Sequence, residues 1–361
     1  MDESPDALRK GRGVAGNASG RFEGQSRHRT DDGWWDDDDD LPALRTTVTA
    51  EKVKTIISSN TSPDLPFDRS INPYRGCEHG CFYCYARPTH AYVGLSPGLD
   101  FESRLFAKTN CRDALRAEVG KRGYRCKPIM LGAVTDPYQP IERDWNLTRE
   151  ILEELSACHH PVVITTKSAS ILRDLDILSD MAAQGLVGIG MSVTTLDRTL
   201  ARTMEPRAST PDKRLAAMKS LSQAGVPVTL MAAPMIPHLN DHELETLLSA
   251  ARDNGATSAF YSILRLPLEL KQLFSDWLEA HASDRAARVL NGVRGTRNGK
   301  LYQSDFNTRM RGTGEYADLL AQRFDLACRK LGLNKRESSE LSLRTDLFKP
   351  PILPGAQMAL F

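Results

Sequence analysis

Cys77-Glu78-His79-Gly80-Cys81-Phe82-Tyr83-Cys84 puts three of the chain's seven cysteines into eight residues. The other four are scattered singly. Thiolates packed into one short loop can wrap one corner of a metal cluster. Three thiolates, rather than four, leave one iron of such a cluster open to an exogenous molecule. A structural zinc site closes with four ligands, and His79 offers a fourth, so a Cys3His site is the competing reading of this loop. A disulfide framework belongs to small chains in oxidising compartments and does not suit 361 residues with clustered thiols.

The chain around the loop alternates between two periods. Upstream, Phe67 to Tyr74 reads as a short strand that delivers the loop, stopped by Pro73 and Gly76, and Thr46-Thr47-Val48-Thr49 has strand-forming residues. Downstream, short apolar runs predict strands over 128–134, 161–166, 186–193, 226–235 and 259–264. Between and after them, helical spacing predicts helices over 146–157, 171–184, 212–224, 241–254 and 269–280. Leu147, Ile151, Leu152 and Leu155 form one stripe on the first of these, and Gly185, Gly225 and Gly255 stop three of them. Strands alternating with helices imply a parallel sheet in an α/β fold. Six such units are too few for a closed eight-fold barrel.

The C-x3-C-x-aromatic-C loop resembles the signature of the radical S-adenosylmethionine (SAM) superfamily, and six strand–helix units fit that superfamily's partial (β/α)6 TIM-type barrel. The resemblance implies a [4Fe-4S] cluster on Cys77, Cys81 and Cys84, with the amino and carboxylate groups of SAM on the fourth iron. It implies reductive cleavage of SAM to methionine and a 5′-deoxyadenosyl radical, and an electron donor such as flavodoxin or ferredoxin. Within the superfamily the chain looks most like the spore photoproduct lyase branch, through Asn72-Pro73-Tyr74-x-Gly76-Cys77, Thr135-Asp136, Lys167 and Ser192, over roughly residues 65–270. That branch implies SAM contacts at Thr135, Asp136, Lys167 and Ser192. It also carries a hydrogen-donating cysteine where this chain has Ala133-Val134, and Cys111, Cys126 and Cys158 lie elsewhere. The lyase reaction itself is therefore in question, while the SAM-cleaving step is not.

In a barrel of this kind, residues just past the strands line the mouth. Thr135 and Asp136 follow the second strand, where they suit the SAM ammonium or, equally, form an Asp-Pro turn. Lys167 follows the third and suits the SAM carboxylate. Ser192 and Thr194 follow the fourth with hydroxyls for the ribose. Glu205 and Arg207 come next and bracket substrate or ribose, or form a solvated pair. Arg265 ends the sixth strand. Tyr83 and Tyr85 flank the last cysteine and suit the adenosine or the cluster. Tyr138 is the candidate catalytic residue, as a radical relay in place of the missing thiol.

The ends of the chain carry other signals. Residues 1–45 are rich in Gly, Ser, Arg and Asp, with Trp34 and Trp35 beside the acidic run Asp36 to Asp40, and read as a disordered acidic tail. The barrel is expected over 46–281, a helical extension over 282–335, including a helix over 315–331, and a surface tail over 336–361. Between Ser283 and Lys349 there are 14 Lys/Arg against 8 Asp/Glu, and Arg294, Arg297, Lys300, Arg309 and Arg311 lie in or near a Gly-rich loop, so contact with nucleic-acid phosphates is one reading and a solvated cap the other. Gln357-Met358-Ala359-Leu360-Phe361 resembles the short peptide by which DNA polymerases and repair proteins dock on the bacterial sliding clamp. The substrate expected from these signals is a nucleic-acid lesion or modified base. The competing class is a non-catalytic, metal- or cluster-stabilised nucleic-acid-binding module recruited to the clamp.

Composition sets the remaining bounds. Hydrophobic residues are 40%, charged residues 26% and the net charge is +1, so whole-molecule charge selects no partner. No apolar run approaches the length of a membrane span and the N-terminus has no secretory signal, so with clustered thiols a cytoplasmic location is expected.

Overall fold

A computed structural model of the protein describes residues 9–23, 44–335 and 343–352. Among the described residues, ten strands lie in two sheets: β1 (Thr47–Glu51), β2 (Ile57–Ser59), β3 (Arg69–Ile71), β4 (Tyr74–Arg75), β5 (Arg104–Lys108), β6 (Ile129–Leu131), β7 (Val162–Thr166), β8 (Val187–Ser192), β9 (Val228–Met235) and β10 (Ser258–Ile263). The larger sheet has the order β10-β9-β8-β7-β6-β3-β2. From β3 to β10 every neighbouring pair is parallel, and β2 pairs antiparallel with β3 at one edge.

Parallel neighbours require crossovers, and helices supply them here. Leu147–Ala157 follows β6, Leu175–Ala183 follows β7, Pro211–Gln223 follows β8, Leu244–Asp253 follows β9, and Leu270–His281 follows β10. Six parallel strands in chain order, each leading to a helix, make the strand order of a (β/α)6 partial barrel. Elements beside the two ends of the sheet meet: Asp64, between β2 and β3, pairs with Arg309, beyond β10, at 2.5 Å. A flat sheet would hold those strands six spacings of about 4.8 Å apart, so the sheet curls.

The expected stripe Leu147, Ile151, Leu152 and Leu155 is buried, and Gly185, Gly225 and Gly255 take left-handed φ of 70°, 78° and 90° after their helices. One core joins Ile71, Leu131, Ile164, Ile189 and Leu230 of the strands to Ile151, Leu178, Met218 and Leu248 of the helices. Each such large side chain contributes on the order of 1.5–3 kcal/mol by leaving water.

The stretch between β3 and β6 holds structure that its sequence does not signal by period. Helices Leu99–Ser103 and Cys111–Val119 flank β5, and β5 forms a three-stranded sheet with β1 and β4. This small sheet braces Tyr74 and Arg75, immediately before the cysteines.

The N-terminus requires a correction. Residues 9–23, expected in a disordered tail, pack against the cysteine loop: Arg12 is buried and donates to the carbonyl oxygen of Glu102 at 2.6 Å, and Val14 joins the apolar cluster of Cys81, Phe82 and Tyr83. Glycine makes this possible, because a Cβ on Gly13 would lie 1.5 Å from the carbonyl oxygen of Gly80. Trp34, Trp35 and Asp36 to Asp40 lie outside the described residues.

The expected helix Glu315–Leu331 is present, preceded by Ala286–Gly295. Residues 343–352 run along the end of the barrel where the strands begin: Arg344 N–H donates to Gly185 at 3.0 Å and Lys349 N–H to Cys158 at 2.9 Å. Gln357, Leu360 and Phe361 lie outside the described residues. Among the described residues, no helix is long and apolar enough to cross a membrane.

Candidate active site at the cysteine loop

The cysteine loop leaves β4 through Gly76, at φ +74°, where a Cβ would stand 2.5 Å from Leu105 and 2.7 Å from the carbonyl of Phe101. Cys77 N–H donates to that carbonyl at 2.9 Å. Gly80 repeats the pattern at φ +69°, with Glu102 Oε2 2.5 Å from where a Cβ would sit. Only glycine fits such positions without strain.

Arg87 holds the loop from beneath. Its guanidinium, fully buried, donates to the carbonyls of Cys81 (2.8 Å), Gly80 (3.1 Å), Pro97 (3.2 Å) and Gly98 (2.9 Å), and to Glu102 Oε1 (2.9 Å). A planar fork of donors is suited to gathering several fixed acceptors. Phe82 anchors the far side, stacked on Trp277 with centroids 4.0 Å apart and planes 9° from parallel.

Cys77 and Cys81 are buried, Cys84 is half-buried, and none is in a disulfide. Burial pushes all three thiols above the ordinary thiol range, and for Cys77 the charges of Asp136 and Cys81 add to it. Uncomplexed, they are neutral thiols. A cation must supply what solvent does not before they become thiolate ligands. Cys77, Cys84, Ala86, Phe101 and Val134 share one apolar cluster. Three thiols of one loop are the donor type that an iron–sulfur cluster takes, although among the described residues no group of three such side chains is gathered as a single-ion metal site. His79 Nδ1 lies 3.3 Å from Asp136 Oδ2, at ion-pair distance but outside hydrogen-bond geometry.

Beside the loop, the strand ends carry a connected polar set. Glu205 is buried; its carboxylate accepts from the Tyr83 hydroxyl, from Thr194 Oγ1 at 2.7 Å and from Arg214, and Lys167 Nζ lies 3.8 Å away. Burial works against this carboxylate, yet Arg214 and Lys167, with the two hydroxyls, hold its pKa down at about 2. Lys167 Nζ also stands 5.8 Å over the Tyr83 ring. Asp136 accepts from Thr166 Oγ1 and from the Lys167 N–H, each at 2.7 Å, and fixes the backbone that carries that lysine.

These observations coincide with a family assignment. The family model described as the radical SAM superfamily matches residues 71–251, half of the 361-residue chain. The chain belongs to the radical SAM superfamily. Members of this enzyme superfamily use a [4Fe-4S] cluster and SAM. An uncharacterized protein of Mycobacterium tuberculosis (strain H37Rv) is 37% identical over 216 residues, 59% of this chain and 64% of that protein. The match thus spans less than two thirds of that relative's length. An uncharacterized protein of Methanocaldococcus jannaschii is 29% identical over 209 residues, 58% of this chain and 74% of that one. Among solved structures, spore photoproduct lyase complexed with dinucleoside spore photoproduct superposes with a TM-score of 0.56 at 16% identity, over 79% of this chain and 80% of that one. At that identity the likeness is one of fold.

Within this radical SAM chain, the structure brings Tyr83, Lys167, Thr194 and Glu205 together, with Asp136 behind them. Ser192 joins through its backbone, its carbonyl accepting from Arg214 at 3.0 Å. Four candidates stand apart. Thr135 Oγ1 donates to the carbonyl of Tyr74 at 3.3 Å. Arg207 pairs with Glu78 at 2.8 Å and lines a cleft of about 520 Å³ with Thr46 and Trp145. Tyr85 turns outward toward Arg265. Tyr138, the expected relay, is buried in the helix layer and donates to Asp174 Oδ2 at 2.9 Å, so its hydroxyl is engaged away from this set.

Sequence reading missed Arg214, Arg87, Glu102 and Arg12. Arg214 lies on the helix after β8, where a lone arginine reads as a solvated face. Only its buried contact with Glu205 reveals it, and burial is a tertiary property.

Proposed function

We propose that this radical SAM chain holds a [4Fe-4S] cluster on Cys77, Cys81 and Cys84 and cleaves SAM reductively at the mouth beside it. The convergence of Lys167, Glu205 and Tyr83 on the cysteine loop supports this reading more than any other observation. When bound, the reduced cluster and SAM supply a 5′-deoxyadenosyl radical that takes a hydrogen atom from the substrate.

The chain's own residues then have distinct tasks. Lys167 offers a half-buried ammonium to the SAM carboxylate, and Asp136 fixes the backbone behind it. Glu205, ionised and fed by Arg214, accepts hydroxyls of the ribose in the place where Thr194 and Tyr83 now donate. Arg214 is a positioning residue, since it acts through Glu205. Ser192 reaches this set through its carbonyl, while Thr135, Tyr85 and Arg207 stand apart from it. The apolar cluster around Cys77 and Cys84 excludes water, which suits a radical step. An electron donor of the flavodoxin or ferredoxin type supplies the electron, and the substrate is a nucleic-acid lesion or modified base handled in the cytoplasm. Ala133 and Val134 carry no thiol, so the hydrogen donor differs from that expected of the lyase branch.

The test is release of 5′-deoxyadenosine from SAM by anaerobically reconstituted, reduced protein. Wild type is expected to release it, and Lys167→Met to release far less at unchanged iron content. Iron-loaded protein that binds nucleic acid but forms no 5′-deoxyadenosine would support the non-catalytic module instead.

A further inference from the structure

One side of the mouth carries exposed rings paired with cations. Tyr85, the residue after Cys84, is 49% exposed, and Phe306 is 51% exposed. The Arg265 guanidinium stands 5.4 Å over the Tyr85 ring and that of Arg309 4.9 Å over Phe306. Arg265 Nη1 reaches Met310 Sδ at 3.4 Å, which ties the two pairs together. The Tyr85 hydroxyl donates to the carbonyl of Ala133, past the end of β6, while Arg265 lies past the end of β10. The patch therefore spans the rim between two strand ends, next to the third cysteine.

Its two cations differ. Arg309 is neutralised by Asp64, which accepts from its Nε and Nη2 at 2.5 Å each. Arg265 feels the Asp64 charge but forms no ion pair with it: among the described residues its buried Nε has no hydrogen-bond partner, and its Nη1 meets the Met310 sulfur. A guanidinium so placed is held ready for an anion, since a buried donor without a partner carries a desolvation cost that a ligand relieves. The basic loop expected around it is mostly otherwise engaged. Arg297 is buried and donates to Leu264 and Thr308, and Arg294 bonds Asn291.

We propose that this rim binds single-stranded nucleic acid, with bases stacked on Tyr85 and Phe306 and a phosphate on Arg265. Half-exposed aromatic rings, each with a guanidinium over one face, suit sequence-tolerant stacking on the other face and contact with the backbone. Single strands fit better than duplex, because chemistry beside a recessed loop cannot reach an atom inside a base stack. The inference rests on the SAM-cleaving reading above and names the substrate class for that mouth.

Fluorescence anisotropy with labelled oligo-dT, on full-length reconstituted protein, tests it. Single strand is expected to bind more tightly than the same length of duplex and than poly-glutamate. Phe306→Ala, an exposed change that spares the fold, is expected to weaken binding roughly tenfold. Arg265→Gln is expected to flatten the salt dependence by about one phosphate contact. No binding at low salt, a preference for duplex or poly-glutamate, or full affinity in both variants overturns the proposal. Wild type should release 5′-deoxyadenosine from SAM. Failure of wild type to do so, with oligo-dT binding intact, counts against the SAM reading and not against this rim.

Discussion

A methyl group on Gly13 would stand 1.5 Å from the carbonyl oxygen of Gly80, at the centre of the cysteine loop. The same Gly13 donates its N–H to Glu102 at 2.9 Å, and Glu102 pairs with Arg87, which gathers the loop's carbonyls. The N-terminal segment is thus part of the loop's support. Gly13→Ala should displace it, cost on the order of 1–3 kcal/mol, and accelerate oxygen bleaching of the reconstituted cluster. Gly295→Ala, with nothing within 4 Å of its Cβ position, should do neither. Equal bleaching rates in Gly13→Ala and wild type would sink the idea.

Arg87 and Glu102 form an ion pair with both side chains fully buried. Arg87→Met leaves a carboxylate and several carbonyls without partners in a dry site. Loss of one member of a buried pair costs about 3–5 kcal/mol, so the urea midpoint should fall sharply. Iron retention should fall with it, because Gly80 and Cys81 lose their anchor.

The Glu205 carboxyl sits at about 2 when folded, against an ordinary value of 4.5. A depressed carboxyl contributes stability that is present above 4.5 and is lost as pH falls toward 2. Urea midpoints should therefore drop across that acid window. Glu205→Gln should show a shallower drop, and also bind SAM more weakly at neutral pH. An identical acid profile for the two proteins would show that other carboxylates dominate.

Tyr138→Phe separates the expected relay from the observed structural role. The hydroxyl donates to buried Asp174, so its removal should cost about 1 kcal/mol or somewhat more. Cluster content and 5′-deoxyadenosine release should be unchanged. Retained SAM cleavage with abolished substrate turnover would restore the relay.

Much of this architecture is legible in local pattern. The strands at β6 to β10 and their helices follow from short apolar runs and 3.6-residue stripes, and the cysteine loop from spacing alone. The stretch from Leu99 to Val119 is not, since β5 is short and owes its form to β1 and β4. The packing of Arg12 and Gly13 is equally hidden: a Gly/Arg-rich segment looks solvated until its partner surface is known. Strand-end logic put Lys167 and Thr194 at one end of the strands, where the structure gathers them with Tyr83 and Glu205, because it says where a residue lies. It did not foresee that the Tyr138 hydroxyl bonds Asp174, because position along the chain does not say which way a side chain turns.

The central claim is that Cys77, Cys81 and Cys84, and not His79, hold a cluster open to SAM. Electron paramagnetic resonance of the reduced, reconstituted protein, with and without SAM, tests it most directly. The account predicts a cluster signal that SAM alters, absent in Cys77→Ala, Cys81→Ala and Cys84→Ala, and retained in His79→Ala. A signal that SAM leaves unchanged, or one lost in His79→Ala and kept in a cysteine variant, would contradict it.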